Sequence, residues 1–140
     1  MGDETTYTMK DAAYLISLSR TFIKARLEEG EQMPLPEDTP NKLMEKAGVF
    51  VTLETYPKKQ LRGCIGYPEP VMPLVEATIK AAGSAATSDP RFPPVSSDEL
   101  DNLLMEISLL TSPELITVES PLEYQNSIEI GKHGLIVEKG

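Results

Sequence analysis

Residues 61–66 read LRGCIG and hold the only cysteine of the chain, Cys64, two positions after Arg62 and between Gly63 and Gly66. In an extended strand the side chains alternate, so Arg62, Cys64 and Gly66 share one side while Leu61, Gly63 and Ile65 take the other. A guanidinium roughly 7 Å along the strand favours thiolate over thiol where water is partly excluded, which is what a nucleophilic cysteine requires. Glycine inside a strand marks a bulge or the close approach of a ligand or another backbone. The competing reading is plain packing: free cysteine often behaves as a small buried hydrophobe, and Gly63 and Gly66 then serve a bulge or a helix laid on the sheet.

Other chemistry-bearing residues are sparse. Asp89 and Arg91 in DPRF can pair with each other, hold their loop, or supply a catalytic carboxylate. Glu106 stands on the non-core side of a strand pattern and reads as a solvated charge. His133, the only histidine, lies in the turn-like GKHG. One cysteine and one histidine cannot make a four-ligand structural zinc site; a site of one histidine and carboxylates stays open, but no HxxE or HExxH spacing places such ligands on one helical face, and no metal and no cofactor is expected.

Charge and length limit the function classes further. With 13 Lys and Arg against 22 Asp and Glu, the net charge of −9 repels nucleic acid over most of the surface. The basic residues are scattered, without interleaved aromatics. At 140 residues, 40% hydrophobic and 25% charged, the composition is that of one ordinary domain with its own core. No apolar run has bilayer length and the N-terminus is acidic, so a cytoplasmic protein without a membrane segment is expected. Gly2 followed by Thr6 fits the myristoylation pattern, which is short enough to occur often by chance.

The elements that must position these residues alternate along the chain. Helical spacing of Leu15, Leu18, Phe22 and Ala25 predicts a helix from Thr8 to about Leu27, with a Thr8–Asp11 capping box and Gly30 as its stop. Pro40 opens a short helix with Leu43, Met44 and Ala47 inward, ended by Gly48. GVFVTLET, the turn YPKKQ and LRGCIG predict a hairpin that sets the LRGCIG strand inside a sheet. Pro73 starts an alanine-rich helix through about Ala86, and the prolines of SDPRFPPVSSDEL make a loop ending in a Ser96–Glu99 capping box. The period-two run LLMEISLLT is a strand with Met105, Ile107 and Leu109 on one face and Glu106, Ser108 and Leu110 on the other. LITV and HGLIVEKG are read as strands, and SPLEYQNS as a short helix opened by Pro121. The fold class is α+β: a mixed or antiparallel sheet covered by helices. The DPRFPP loop is expected near Cys64, anchored by Phe92, with the alanine-rich helix between them.

LRGCIG, then DPRFPPV, then EISLLT and GKHGLIVEKG, in this order and spacing over nearly the whole chain, resemble the AMMECR domain family. That family is named for a human chromosomal region linked to Alport syndrome, midface hypoplasia, intellectual disability and elliptocytosis. The resemblance implies two unequal subdomains and a site lined by Leu61, Arg62, Gly63, Cys64, Ile65 and Gly66, by Asp89, Pro90, Arg91 and Phe92, and by Glu106 and Ser108. Family members continue beyond GLIVEKG with another strand and a helical region, so a single domain over 1–140, truncated at its C-terminus, is the expectation. Two functions remain open. One is a cysteine-dependent enzyme with Cys64 and Arg62 catalytic and Gly63, Gly66, Asp89, Arg91, Phe92, Glu106 and Ser108 binding the ligand. The other is a non-enzymatic module for a small molecule or protein. The family's Memo-type and radical S-adenosylmethionine neighbours are the implied partners.

Overall fold

A computed structural model describes residues 6–30 and 33–139; Gly2 of the myristoylation pattern and Gly140 lie outside the described residues. Helix α1, Met9–Glu29, starts as its sequence demands. Thr8 Oγ1 accepts from the Asp11 N–H at 3.2 Å, and Asp11 Oδ2 accepts from the Thr8 N–H at 2.8 Å, so two orphan donors of the first turn are satisfied reciprocally. Gly30 at φ 68° closes it in the left-handed region. The buried line runs through Leu15, Ser19 and Ile23, one helical turn apart, and the flanking Leu18 and Leu27 are half-buried against the same core.

Strands β1 (Gly48–Thr55), β2 (Leu61–Tyr67) and β3 (Leu103–Leu110) form one antiparallel sheet in the order β2-β1-β3. β1 and β2 pair across the YPKKQ turn, with Val51 opposite Ile65 and Thr52 opposite Cys64. Pairing is as the period-two runs predict; position is not. β2 is an edge strand rather than an interior one, because β3 takes the other side of β1. The register also slips between Leu53 and Glu54, so that Leu61 and Arg62 together face Glu54. Leu61, expected beside Gly63 and Ile65, is therefore exposed.

Helix α2, Leu74–Thr87, lies with α1 over one face of the sheet. Its Leu74, Val75, Ala77, Ala81 and Ala85 are buried with Val49, Val51 and Leu53 of β1. Alanine on the inward side lets the helix axis come close. At Gly63 the approach is so tight that a Cβ would stand 2.1 Å from the Ala85 carbonyl oxygen. Among the described residues no helix covers the opposite face of the sheet, which presents Phe50, Thr52 and Glu54 of β1 flanked by Cys64 and Gly66 of β2 and Glu106 and Ser108 of β3. A short helix α3, Ser97–Leu100, capped by Ser96 and Glu99 as expected, leads into β3.

Several expectations are corrected. The turn after Pro40, Asn41–Met44, is a 3-10 helix that buries Leu43 and leaves Met44 exposed; it ends at Glu45, and Gly48 begins β1 instead of stopping a helix. Neither LITV nor residues 133–139 of HGLIVEKG form a strand. Both are rich in β-prone residues, but among the described residues neither is paired with a strand, and propensity without a partner is not enough. Pro121 does open a turn, Pro121–Glu123, continued by α4, Tyr124–Ser127. Among the described residues no helix is long and apolar enough to cross a membrane.

The Gly63 contact gives a direct test. Gly63→Ala must push α2 off β2 against backbone, so it should lower stability in urea unfolding by about 3 kcal/mol, the upper part of the overpacking range. Gly134→Ala, where nothing stands within 4 Å of the added carbon, should change it by less than about 0.5 kcal/mol.

Candidate functional site

β2 carries Cys64 at a position where both backbone groups turn away from β1. The Cys64 N–H donates to Asp89 Oδ2 at 3.0 Å, and its carbonyl accepts from Arg91 Nη2 at 3.5 Å. An edge strand exposes such groups, and here the DPRF loop satisfies them. Asp89 follows the last turn of α2 directly, so the helix that covers the sheet face also delivers the loop to its edge. The alanine-rich helix thus does not stand between loop and cysteine, as the sequence suggests; it packs on the face at Gly63 while the loop touches Cys64 itself.

Asp89 is the centre of this arrangement. Its side chain is 2% exposed and accepts from the Arg91 N–H and Nε through Oδ1, each at 3.0 Å, and from Arg91 Nη2 through Oδ2 at 2.8 Å. Those Arg91 bonds first, and the Cys64 N–H next, hold its carboxyl well below the usual carboxylate range. The same pairing raises Arg91. The guanidinium also stacks on Phe92, 5.5 Å from the ring centroid, and Phe92 is half-buried rather than a deep anchor.

Arg62 has a different partner from the one its spacing suggests. Placed at the bulge, it makes a two-pronged bond to Glu99 through Nε–Oε1 and through Nη2–Oε2 at 3.1 Å, and donates to the Pro93 carbonyl at 2.8 Å and the Pro94 carbonyl at 3.4 Å. Its side chain is 13% exposed. Glu99 is lowered chiefly by this contact, and the same carboxylate closes the cap of α3 by accepting from the Ser96 N–H at 3.3 Å. The charges at the cysteine backbone are Asp89 and Arg91, and Arg62 fastens the loop and α3 to β2.

The thiol itself lies on the open face, half-buried, sharing a hydrogen bond with Thr52 Oγ1 at 3.3 Å. Thr52 stands opposite Cys64 on one side and opposite Glu106 on the other, so Cys64, Thr52 and Glu106 form one row across the sheet. Directly opposite residues lie about 5 Å apart, which leaves exposed Glu106 about 10 Å from the cysteine. The neighbouring row is Gly66, Phe50 and Ser108, and a Cβ at Gly66 would meet the Phe50 ring at 2.3 Å. Each glycine of LRGCIG thus faces its own obstacle, Gly63 the helix and Gly66 the aromatic ring. His133 is remote in the C-terminal segment, where its Nδ1 accepts from the Glu129 N–H. Among the described residues no three of His, Cys, Asp and Glu converge as metal ligands do.

The structure therefore brings Arg62, Gly63, Cys64, Gly66, Asp89, Arg91 and Phe92 together around one strand edge, and Glu106 and Ser108 onto the same open face two strands away. Sequence reasoning missed Thr52, Glu99 and the Pro93 and Pro94 carbonyls. Counting the hairpin register outward from the YPKKQ turn could have found Thr52; Glu99 was visible only as a cap.

The sequence model of the AMMECR1 family matches residues 16–140. Among curated proteins the chain is 48% identical to protein MK0488 of Methanopyrus kandleri, over 100% of this chain and 67% of that one. It is 54% identical to protein PH0010 of Pyrococcus horikoshii over 91% and 63% respectively. The crystal structure of PH0010 superposes with a TM-score of 0.79 at 52% identity, covering 84% of this chain and 59% of that one. The chain thus spans about two thirds of the length of these relatives.

Asp89 predicts a pH dependence. A carboxyl held below its unfolded value, about 3.9, contributes stability that is complete above that pH and is lost as pH falls toward the folded value. Urea midpoints measured from pH 5 downward should fall more steeply in the wild type than in Asp89→Asn, whose side chain has no charge to lose. Parallel profiles would mean that Asp89 contributes nothing through its charge.

Proposed function

The chain belongs to the AMMECR1 family, and from that footing we propose that it is a binding module whose working surface is the open face of the sheet around Cys64. One observation carries this: every charged group of LRGCIG and DPRF is spent on another part of the same chain, Arg62 on Glu99 and Asp89 on Arg91. These residues build and brace a surface. Among the described residues no side-chain base is bonded to the thiol, whose partner is the Thr52 hydroxyl. A nucleophilic cysteine needs an adjacent base or a cation directed at its sulfur. What faces outward is a shallow surface of Phe50, Thr52, Cys64, Glu106 and Ser108, suited to contact rather than to bond-breaking.

The partner class follows from the family resemblance: a protein, of which the Memo-type relative of extradiol dioxygenases and the radical S-adenosylmethionine enzyme are the two to try. A cysteine-dependent reaction is the second reading, favoured only by the half-exposed thiol and by Arg91 close to its carbonyl.

Alkylation separates the two. Native protein treated with iodoacetamide at neutral pH, with Cys64→Ser as blank, should label no faster than free cysteine, and Arg91→Ala should not slow it. Labelling about tenfold faster than free cysteine that falls on Arg91→Ala would make Cys64 a nucleophile and end the binding-only reading. In calorimetric titration with a Memo-type protein, Glu106→Lys should weaken binding about fivefold, since a rim charge reversed against its partner costs on the order of 1 kcal/mol.

A further inference from the structure

The DPRF segment is a tight turn. Pro90 stands where its fixed φ favours one, and the Phe92 N–H closes it by donating to the Asp89 carbonyl at 3.2 Å. The residues after it are fastened as well: Arg62 donates to the Pro93 and Pro94 carbonyls, and the N–H of buried Val95 donates to the Ala86 carbonyl at 2.8 Å. Arg91, in the middle of this turn, therefore stands on a base held by α2 on one side and by β2 on the other.

The ion pair mounted there is lopsided. The Asp89 side chain is 2% exposed, whereas that of Arg91 is 55% exposed. Asp89 takes the Nε and Nη2 side of the guanidinium, Nη2 also reaches the Cys64 carbonyl, and the Phe92 ring lies against the cation. For Nη1, with its two hydrogens, no partner is found among the described residues. Neutralising Asp89 needs only the fork already made. What the buried carboxylate adds is a fixed direction for the outer nitrogen, and a donor held in place before binding loses little entropy when it is used.

Charge selects the class of ligand. Asp89 and Arg91 cancel, and the chain as a whole carries −9, so the turn offers hydrogen-bond direction without excess positive charge. A dianionic phosphate gains little from that balance, while a singly charged carboxylate suits the remaining donor edge. We propose, building on the binding reading above, that Arg91 Nη1 donates to an aspartate or glutamate carboxylate of the protein partner, beside Cys64 at the β2 edge. Arg91 then determines which partners fit, and Asp89 is the residue that positions it.

Heteronuclear NMR of the full chain at neutral pH and constant ionic strength tests this, with sodium acetate as the probe. Acetate replacing chloride should shift the Arg91 guanidinium and Cys64 amide signals saturably. Arg91→Lys keeps a charge beside Asp89 but has no outer nitrogen, and it should weaken the response of the Cys64 amide at least about tenfold. Absence of an acetate shift at the wild-type guanidinium overturns the proposal whatever the variant does. So does a Cys64 response that survives Arg91→Lys, and so does tighter binding of inorganic phosphate than of acetate, which would make the turn a general oxyanion cradle. Titration with the Memo-type protein decides the binding-module reading separately, so either can fail alone.

Discussion

A single buried carboxylate decides how the sheet, the helix and the loop meet. Asp89 ends the reach of α2, accepts from the Cys64 N–H and neutralises Arg91, so one side chain finishes an edge strand, anchors a loop and orients a guanidinium. Buried charges are stable only when paired and fully hydrogen-bonded, and Asp89 meets that condition with donors from two elements. Remove it and β2 has an orphan donor while Arg91 has no counter-ion. Arg62 and Glu99 repeat the device a few residues away, tying the far end of the loop and α3 to the bulge.

With both charge pairs closed internally, the surface left for other molecules is determined by subtraction. The helices occupy one face of the sheet, the DPRF loop occupies the β2 edge, and the face bearing Phe50, Thr52, Cys64 and Glu106 stays open. The glycines of LRGCIG contribute to both sides. Gly63 admits the alanine-rich helix and Gly66 admits the Phe50 ring, which places an aromatic next to the thiol on the open side. What the motif encodes is the thickness of the packing on either side of one strand.

The elements were legible where local chemistry decides them. The Thr8–Asp11 and Ser96–Glu99 boxes, the helix from Pro73 and the hairpin across YPKKQ all rest on interactions between residues near in sequence. Strand order was not, because whether β2 is an edge depends on which side of β1 the distant β3 selects. Arg62 was misplaced for a related reason: period-two alternation assumes an unbroken register, and one extra residue opposite Glu54 redirects it. LITV and the GLIVEK run show the converse, residues suited to strands that pair with none among the described residues. The site was legible as a set of residues but not as a set of partners.

The order of the strands also has a consequence in time. β1 meets β2 across a short turn, but its other side must wait for β3, and contacts closed over long stretches of chain form slowly. On the ribosome, Gly48–Thr55 and Leu61–Tyr67 emerge, with α2 and Asp89 after them, before Leu103–Leu110 does. For that interval the side of β1 later taken by β3 is the exposed one, while Asp89 can already close the side of β2. The nascent protein therefore closes the β2 edge first and carries an open side of β1 until Leu103–Leu110 joins it.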